Sequence, residues 1–523
     1  MKKTKPTRIS FLFMLAMALG LALSSYAQET AKLDTTPDEL YEKAVNNPAF
    51  ETIQKGESFC WQAKGAMDQF ISYYSLTKNT EWLDAGIKYY DFLVGRMDTA
   101  PDGYKGWIGP YLSDKKYWQD VLVGDALLTE GLLNFSILVL EDKTLKSKYK
   151  DKADSYVQLV EKHFAEKYDK RGTWIDDGPY GAYIGSNQFL EPGDLKKWVT
   201  RPCVSEAGMS PPFNKQMDAG LVFLLLHRAT GKKAYHERAQ KIYLTAKTHF
   251  QYFDDHYSWN YWEPLIPTDV DLEKKETRHG VWVHPWRSGY TAREVGQIVE
   301  AYHYGVVFDK TDIQRMINTN LNVMWNKDRV NPKFISSNGL GAEMDTTGVG
   351  SFIKRYGHSN TTKNAGELWT ALLDFDQTIR DLYELRFRDD KNSSAYLRYK
   401  NTHLKNPPSF ERKHAKSNVK VPVVNFSESK DLYLATVLPH NIKKDQQAVI
   451  ICKSWNPGEL KIDLYSKKGK KLGNLYTGNI GKEKTFVYTW DGKDPATKTA
   501  YKGDYTVRWS IGDGYREFPV VLN

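Results

Sequence analysis

Apolar residues between positions 35 and 390 follow a helical period. In residues 230–250 they lie three, four, seven and eleven positions after the first of the series, so they share one helical face. The residues of this face are Ala239, Ile242, Tyr243, Ala246 and Phe250. Three further segments repeat the design after a short polar turn that contains lysine, and they begin at residues 77, 141 and 308. The pattern therefore predicts four amphipathic helices.

A more uniformly apolar segment precedes each amphipathic helix. These segments predict helices at residues 59–76, 117–140, 214–229 and 291–307, with a fifth at 364–388. A helix that is apolar on nearly every side is buried, so these are expected as inner helices and the amphipathic ones as outer helices. Stacked helical hairpins form an open solenoid or a closed ring. The irregular spacing and long connections favour the closed ring, an α/α toroid, for residues 28–402.

The composition changes after the helical pattern ends. Residues 403–420, HLKNPPSFERKHAKSNVK, combine two prolines with many charges and show no periodicity, which is typical of a linker. Beyond it, short β-type runs separated by turn residues predict a small β-sandwich over residues 421–523. The runs are VKVPVVNF, LYLATVL, AVIICKSW, LKIDLYS, KTFVYTW, DYTVRWSI and FPVVL. We expect a multidomain, mainly α protein in which the toroid precedes the sandwich.

The first 27 residues have the three parts of a secretory signal peptide. A lysine-rich start leads into the apolar run FLFMLAMALGLAL and then into small residues that end at Ala27. Cleavage is predicted after Ala27, and the mature protein is expected to be periplasmic or secreted. No later stretch approaches the roughly 20 apolar residues of a membrane-spanning helix, so no membrane span is predicted.

Charge and cysteine content narrow the choice of partners. The leader contributes +4 and residues 411–523 contribute +8 to the formal net charge of +9, so residues 28–410 carry about −3. An acidic ligand of the helical part must therefore be bound by local placement of cations rather than by net charge. The basic tail is expected to be a solvated lysine-rich surface, without a nucleic-acid partner. Three scattered cysteines provide neither a disulfide scaffold nor a thiolate metal site. HExxH and EF-hand patterns are also absent from the sequence, and no cofactor or metal is predicted.

Three long connections carry the candidate chemistry. They span about 168–213, 253–290 and 326–363. Disordered segments are poor in aromatic residues, whereas these connections contain Trp and Tyr together with His and Arg. We therefore expect them to be ordered and to line a cleft. The densest patch runs through WNYWEP and RHGVWVHPWRSGYTARE into an inner helix, whose N-terminus adds partial positive charge. Its candidate binding and catalytic residues are Trp259, Trp262, Glu263, His279, Trp286, Arg287, Tyr290 and Arg293. The alternative is a loop packed by its own aromatic side chains.

Two shorter patches and two tryptophans could face the same cleft. In SPPFNKQMD, Asn214 is either a helix N-cap or a substrate ligand. In RYGHSN, Arg355 is a candidate for substrate binding, and His358 is either held by a loop hydrogen bond or a second candidate for proton transfer. Trp107 and Trp118 either stack on sugar rings or pack in the core.

The layout resembles known protein families. The helical hairpins, the aromatic cleft, NYWEP followed by RHG, and the C-terminal β module resemble the α/α-toroid polysaccharide lyases and the related uronate C5-epimerase-type domains over residues 35–390. LKIDLYSKKGKKLGNLYTG with YTWDGKDPATKTAYKGDYTVRW resembles the immunoglobulin-like module of flagellar hook-assembly proteins. The first resemblance implies an exported carbohydrate-active enzyme that acts on an anionic polysaccharide. The second implies a fold rather than an activity.

Elimination of a uronate polysaccharide makes three chemical demands. The carboxylate must be neutralised, a base must take the C5 proton, and an acid must protonate the leaving O4. Arg287 or Arg293, helped by Asn214, could neutralise the carboxylate. Tyr290 or His279 could act as the base, and a tyrosine does so only where nearby positive charge lowers its pKa.

Two other functions remain open alternatives. Glycoside hydrolysis needs two carboxyl groups about 5–9.5 Å apart, and the candidates are Asp176, Asp177, Asp218, Glu263 and Glu294. A non-catalytic glycan-binding protein would use the aromatic residues alone. Motifs of dinucleotide, P-loop and α/β-hydrolase sites are absent from the sequence, which disfavours those classes.

Overall fold

The protein has an N-terminal helical region with small sheets and a C-terminal β-sheet region. The computed structural model describes residues 33–111, 116–200, 207–253, 255–281, 288–334, 366–414, 432–512 and 514–523. Its α-helices are α1 (Pro37–Val45), α2 (Gly56–Thr77), α3 (Glu81–Val94), α4 (Leu122–Glu141), α5 (Lys143–Val160), α6 (Lys167–Lys170), α7 (Phe213–Thr230), α8 (Lys233–Thr248), α9 (Ser288–His303), α10 (Lys310–Asn318), α11 (Gln377–Glu384) and α12 (Ser394–Tyr399). Because both regions also contain β-strands, the fold is mixed α/β and not the mainly α fold that the sequence predicted.

Four of the predicted pairs of consecutive helices are confirmed among the described residues. These are α2 with α3, α4 with α5, α7 with α8, and α9 with α10. The fifth predicted helix, 364–388, is wrong in extent. The Asp376 side chain accepts a hydrogen bond from Ile379 N at 3.0 Å and so begins the short α11, after a segment that has only one turn of 3₁₀ helix.

The helices of the N-terminal region share one continuous apolar core. Helix α4 is buried on nearly every side, and α2 and α7 pack against it. By length and composition α4 could span a membrane, yet 78% of its most apolar 18-residue stretch is buried inside the described part of the protein. The outer helix α3 is bonded to α2 through Tyr89 and Tyr90, whose hydroxyls donate to the carbonyls of Ala63 and Met67, each at 3.1 Å.

The long connections of the helical region contain short antiparallel strands. They are β1 (Asp98–Thr99), β2 (Lys105–Gly106), β3 (Gly109–Pro110), β4 (Trp118–Gln119), β5 (Trp174–Asp177), β6 (Tyr180–Tyr183), β7 (Gln188–Glu191), β8 (Asp194–Thr200), β9 (Gln251–Phe253), β10 (His256–Ser258), β11 (Val270–Asp271) and β12 (Glu276–Thr277). The largest described sheet of this region has four strands in the order β3-β4-β7-β8. Most of the third connection, residues 335–365, lies outside the described residues. Two of the three long connections are thus ordered by hairpins.

The C-terminal region consists of two sheets that share a core. Its strands are β13 (Leu432–Leu438), β14 (Asn441–Ile442), β15 (Ala448–Ser454), β16 (Gly458–Ser466), β17 (Lys471–Ile480), β18 (Thr485–Trp490), β19 (Gly503–Ile511) and β20 (Gly514–Leu522). The sheet orders are β13-β15-β18 and β14-β20-β19-β16-β17. Six predicted runs coincide with strands, β14 and β17 were not predicted, and VKVPVVNF lies outside the described residues. Buried Trp490 and Trp509 lie in the shared core.

The two regions meet through an apolar cluster. Val270 of β11, with Phe253 and Val281, packs against Leu434 and Ile451 of the three-stranded sheet. The sheet region is thereby docked on the connection that leads to α9. That connection also carries His279 and Glu263, so the docking orders part of the predicted site.

Candidate functional site

Polar side chains recur on one face of helices that are otherwise apolar. In α9 they follow a spacing of three, four and three residues, which is one helical face, and they are Tyr290, Arg293, Gln297 and Glu300. The neighbouring helices add Glu57, Lys64 and Asp68 from α2, Glu130 from α4, and Asn214 and Asp218 from α7. Five of these residues are buried, namely Glu57, Lys64, Asn214, Asp218 and Gln297. Burial of polar groups is unfavourable unless they pair or bind something. We call this set, with Glu294, the candidate site.

The centre of the candidate site is the ion pair of Arg293 and Asp218. Nε and Nη2 of Arg293 donate to Asp218 Oδ1 at 2.8 and 2.5 Å, and the Gln297 amide donates to the same oxygen. Burial raises the pKa of Asp218 to about 6 despite the arginine. Asp218 Oδ2 has no hydrogen-bond partner among the described residues. The Arg293 side chain keeps 24% of its surface exposed, so it remains accessible from the interior space.

A chain of alternating charges extends from this pair. Glu130 Oε2 lies 3.6 Å from Arg293 Nη2, and Glu130 Oε1 lies 3.2 Å from Lys64 Nζ. Lys64 also contacts Asp68 at 2.5 Å. Although burial disfavours its charged form, Glu130 and Asp68 raise the pKa of Lys64. Four helices are thus joined by charge pairs at their shared interior, which holds the polar groups in fixed positions.

Glu294 of α9 lies beside the N-terminal end of α7. Its Oε2 accepts a hydrogen bond from Trp259 Nε1 at 2.7 Å, and the carboxyl group also bonds to the backbone of Asn214. Burial raises the pKa of Glu294 to about 8, so the group is largely protonated at neutral pH. Glu294 Oε1 and Asn214 Oδ1 have no partner in the described part of the chain. Asn214 is the second residue of α7 and Pro212 precedes the helix, so the N-cap alternative for Asn214 is wrong.

Tyr290 lies at the head of α9. Its ring stacks on Tyr261 with centroids 5.1 Å apart and planes at 21°. The carbonyl of Tyr261 accepts a hydrogen bond from Phe213 N at 3.1 Å, which fixes this stack beside the start of α7. Tyr290 is half-buried. The predicted residues Asn214, Tyr290 and Arg293 are therefore brought to the adjoining heads of two helices.

His279 and Trp262 form a separate buried stack. Their rings are parallel within 9° and 4.3 Å apart. His279 Nδ1 lies 3.0 Å from Gly280 O, and Nε2 lies 4.0 Å from Asp269 Oδ2. Trp262 Nε1 donates to the carbonyl of Ser210, whose hydroxyl donates to Asp269. The stack braces the loop before α7, and His279 is only 7% exposed.

Glu263 belongs to the junction between the two regions. One carboxyl oxygen bonds to His249 Nδ1 and the other to the Asn260 amide. The Asn260 amide also donates to Tyr433 O of the sheet region at 2.7 Å. His249 Nε2 in turn lies 3.1 Å from Nε2 of His440. Both oxygens of Glu263 are therefore engaged by protein groups rather than by the candidate site.

The remaining predicted residues are dispersed. Trp107 is buried and donates to Leu93 O at 2.8 Å, and Trp118 lies in β4 with Lys55 Nζ 5.5 Å from its ring centroid. Among the hydrolase candidates, Asp176 accepts from Gly178 N in a turn and Asp177 bonds to the sheet region at the amide of His440. Four predicted residues lie outside the described residues: Trp286, Arg287, Arg355 and His358.

A cavity of about 390 Å³ adjoins the candidate site. Its polar lining includes Glu130, Arg293, Gln297, Glu300, His303 and Lys413. Sequence reasoning missed Glu130, Gln297 and His303, although one signal was available. Glu130 is a charged residue inside the apolar helix α4, and a buried charge is rarely retained without a partner or a function.

Metal binding and known relatives add little to this picture. Within the described ranges, no group of three or more His, Cys, Asp or Glu side chains is arranged to hold a metal ion. No family model and no curated protein matches the chain. One solved structure, the Pseudomonas fluorescens alkylpurine DNA glycosylase AlkC bound to DNA containing an abasic site analog, aligns over 93% of this chain and 96% of its own with 9% identity and a TM-score of 0.14. Similarity at that level carries no argument about fold or function.

Proposed function

We propose that the protein is an exported enzyme that cleaves an acidic, uronate-containing polysaccharide by β-elimination. The proposal includes an α/α toroid for the helical region and an immunoglobulin-like sandwich for the sheet region. One observation carries it: Asn214, Tyr290 and Arg293 lie at the adjoining heads of α7 and α9, and the cavity wall includes Arg293. A cation, an amide and a phenol at one place meet the demands of uronate elimination.

Arg293 would bind the substrate carboxylate. Its partly exposed side chain lies on the cavity wall, and the substrate would replace Asp218 as its partner. Because burial raises the pKa of Asp218 to about 6, Asp218 can take up a proton when the arginine turns to the substrate. The Gln297 amide would continue to bond to Asp218 in that state.

Tyr290 would transfer the proton. In its phenolate form the Tyr290 oxygen takes the C5 proton, the C4–O4 bond breaks as the C4–C5 double bond forms, and the proton passes on to O4. Its stacking on Tyr261 would hold the ring in one orientation during both transfers. Glu294 and Asn214 would position the heads of the two helices.

Glycoside hydrolysis is the second candidate. A hydrolase needs a carboxyl group that is protonated at working pH. Burial raises the pKa of Asp218 to about 6 and that of Glu294 to about 8, and both belong to the candidate site. These shifts are the specific observation in favour of hydrolysis.

An assay of the mature chain on a panel of uronate polymers tests the proposal. Elimination creates an unsaturated sugar, so ultraviolet absorbance should rise with wild type and fail to rise with Tyr290→Phe. New reducing ends without that absorbance would indicate hydrolysis, and their loss in Asp218→Asn would assign the role of that carboxyl group. Retarded migration of a polymer without cleavage would indicate a non-catalytic glycan-binding protein.

A further inference from the structure

The cavity beside the candidate site continues past it along α9. Arg293 and His303 both line the cavity, and the ten helical residues from one to the other correspond to about 15 Å. The volume of about 390 Å³ falls within the roughly 300–1,000 Å³ that small-ligand sites occupy. The far end of the cavity is therefore distinct from the Tyr290 end of the candidate site.

The charged side chains of the cavity wall have both signs. They are Glu130, Glu300 and Asp374 on one side of the balance and Arg293 and Lys413 on the other. Arg293 Nη2 contacts Asp218 and Glu130, and Lys413 Nζ lies 3.6 Å from Asp374 Oδ2. A ligand carboxylate would meet three carboxyl groups on this wall, and a ligand ammonium group would meet two cations. The wall therefore disfavours a charged ligand of either sign.

Three polar side chains of α9 have unused hydrogen-bonding capacity at this wall. Gln297, Glu300 and His303 recur every three residues and all line the cavity. Gln297 and His303 are each 3% exposed, and Gln297 Oε1 and His303 Nδ1 have no hydrogen-bond partner among the described residues. The side chain of Glu300 forms no hydrogen bond or ion pair with another described residue. Burial lowers the pKa of His303 to about 4, so its imidazole is neutral and can accept a hydrogen bond.

Hydroxyl groups suit all three side chains. A hydroxyl donates to the amide oxygen of Gln297 and to the imidazole nitrogen of His303. At Glu300 a hydroxyl donates to the carboxylate form and accepts from the protonated form, so the match holds in either protonation state. The wall therefore calls for a ligand that carries several hydroxyl groups and no charge.

The rest of the wall includes small and apolar residues. Gly296, Val299, Leu221 and Ala371 line the cavity together with the polar groups. Among the described residues, a Cβ atom at Gly296 would meet nothing closer than the Ala371 Cβ at 4.0 Å, so internal packing does not require a glycine there. Glycine inside a helix is unfavourable, and its use here leaves room for a ligand against the helix backbone. An apolar strip with polar groups beside it matches the C–H face and the hydroxyl groups of a sugar ring.

We propose that this cavity is a binding site for a neutral sugar, with the ligand hydroxyls on Gln297, Glu300 and His303 and the C–H face of the ring against Gly296 and Val299. A neutral sugar supplies hydrogen bonds to the unused atoms without bringing a charge to a wall of mixed sign. The proposal goes beyond the proposed function and does not depend on it, since elimination acts on an anionic sugar unit.

Calorimetric titration of the mature chain tests the proposal with the methyl glycosides of glucose, galactose and mannose as neutral probes. At least one of them should bind at least about tenfold more tightly than glucuronate, glucosamine and cyclohexanol. Glucuronate adds a negative charge and glucosamine a positive charge, whereas cyclohexanol keeps a six-membered ring but has a single hydroxyl group. The comparison therefore separates the effects of charge from the effect of the hydroxyl groups.

Two variants locate the site with the neutral sugar that binds wild type. Glu300→Leu keeps a side chain of similar size without a hydrogen-bonding group and should weaken binding about tenfold. His303→Phe keeps a ring that can stack on Phe375 and removes the unpartnered nitrogen, so binding should weaken here too. Glu237→Leu, on the exposed face of α8, is the matched control and should leave binding unchanged.

Three results would overturn the proposal. They are binding of the charged probes as tight as that of the neutral glycosides, absence of binding by every probe, and an unchanged affinity in both Glu300→Leu and His303→Phe. If the variants do not fold, the comparison of probes on wild type decides alone. Binding of a neutral sugar by a chain that cleaves no uronate polymer would refute the elimination and leave this site intact.

Discussion

The imidazole rings of His249 and His440 meet at 74° with their Nε2 atoms 3.1 Å apart, and the two residues belong to different regions of the protein. The far side of each ring meets a carboxylate: His249 Nδ1 contacts Glu263, and His440 Nδ1 lies 3.2 Å from Asp177 Oδ2. Both imidazoles are at most 1% exposed. The junction is thus a buried chain of four titratable groups.

The number of hydrogens in this chain is limited. Its three contacts need one hydrogen each, and two neutral imidazoles supply two of them. The third resides on one imidazole or on Glu263. Buried Arg516 donates to the carbonyl of His249 at 3.1 Å and adds one positive charge. If the third hydrogen is on an imidazole, the junction holds two negative and two positive charges, and a further proton would place two N–H groups against each other.

Acid is therefore expected to weaken the junction. Burial lowers the pKa of His249, so between the unfolded value of about 6.5 and the folded value the unfolded chain binds more protons than the folded protein. The free energy of unfolding should fall as pH falls through this window, by up to about 1.4 kcal/mol per pH unit. Urea unfolding at several pH values should show that the free energy of unfolding depends less steeply on pH in His249→Gln than in wild type. Equal slopes would contradict the role assigned to His249.

The buried carboxyl of Glu294 predicts the opposite pH dependence. Its folded pKa of about 8 exceeds the unfolded value of 4.5, so its contribution to stability is complete below 4.5 and is lost as pH rises through 8. Glu294→Gln mimics the protonated form and should raise the melting temperature at about pH 9 more than at about pH 5. Glu237→Gln, on the exposed face of α8, is the control and should change stability by less than about 0.5 kcal/mol.

The Arg293–Asp218 pair predicts strong coupling between two substitutions. Arg293→Met leaves the carboxylate of Asp218 buried without its partner and should reduce the free energy of unfolding by about 3–5 kcal/mol. The double variant with Asp218→Asn should recover part of that loss. A double-mutant cycle by chemical unfolding measures the coupling. Additive effects of the two substitutions would show that the ion pair does not organise the site.

Tyr290 predicts a loss of activity without a loss of stability. If it transfers the C5 proton, Tyr290→Phe should reduce the elimination rate by about 10²–10⁴-fold. The ring can still stack on Tyr261, so the melting temperature should stay near that of wild type. Tyr235→Phe, which removes a hydroxyl bonded to Glu161 on an outer helix, is the matched control and should retain activity. A Tyr290→Phe variant with full activity would exclude Tyr290 from the reaction.

The apolar contact between the two regions predicts that a charge introduced at Val270 affects unfolding differently from a charge introduced at Leu272. Val270 is 6% exposed and packs in the junction cluster, whereas Leu272, two residues along, is 47% exposed. Val270→Asp buries a charge in that cluster and should separate the unfolding of the two regions into two calorimetric transitions. Leu272→Asp should keep the wild-type transition. A single unchanged transition in Val270→Asp would show that the cluster does not couple the regions.

Much of the fold was predictable because its signals are local. Apolar residues at helical spacing mark both members of four helix pairs, and short β-type runs mark six strands of the sheet region. The fifth inner helix was overestimated because apolar content extended through a segment that the Asp376 cap divides. In β17, which the sequence did not single out, half-exposed side chains and glycines obscure the alternation.

The site was predictable only in part. Asn214, Tyr290 and Arg293 stood out because polar residues begin helices that are otherwise apolar. The pairing of Arg293 with Asp218 was not apparent, since 75 residues separate them in the chain. Glu263 and Trp259 were selected by their motif. In the structure Glu263 bonds to His249 at the junction, and Trp259 is buried against Glu294.

The sequence by itself determined which segments become helices and strands, because hydrophobic periodicity acts over a few neighbouring residues. It also marked α4 and α7 as buried helices, because apolar surface must be removed from water wherever it lies in the chain. Only the tertiary structure decided which charges meet. The partners of Arg293 and of His249 come from distant segments, and the strength of an ion pair or hydrogen bond depends on ångström distances and burial that only packing establishes.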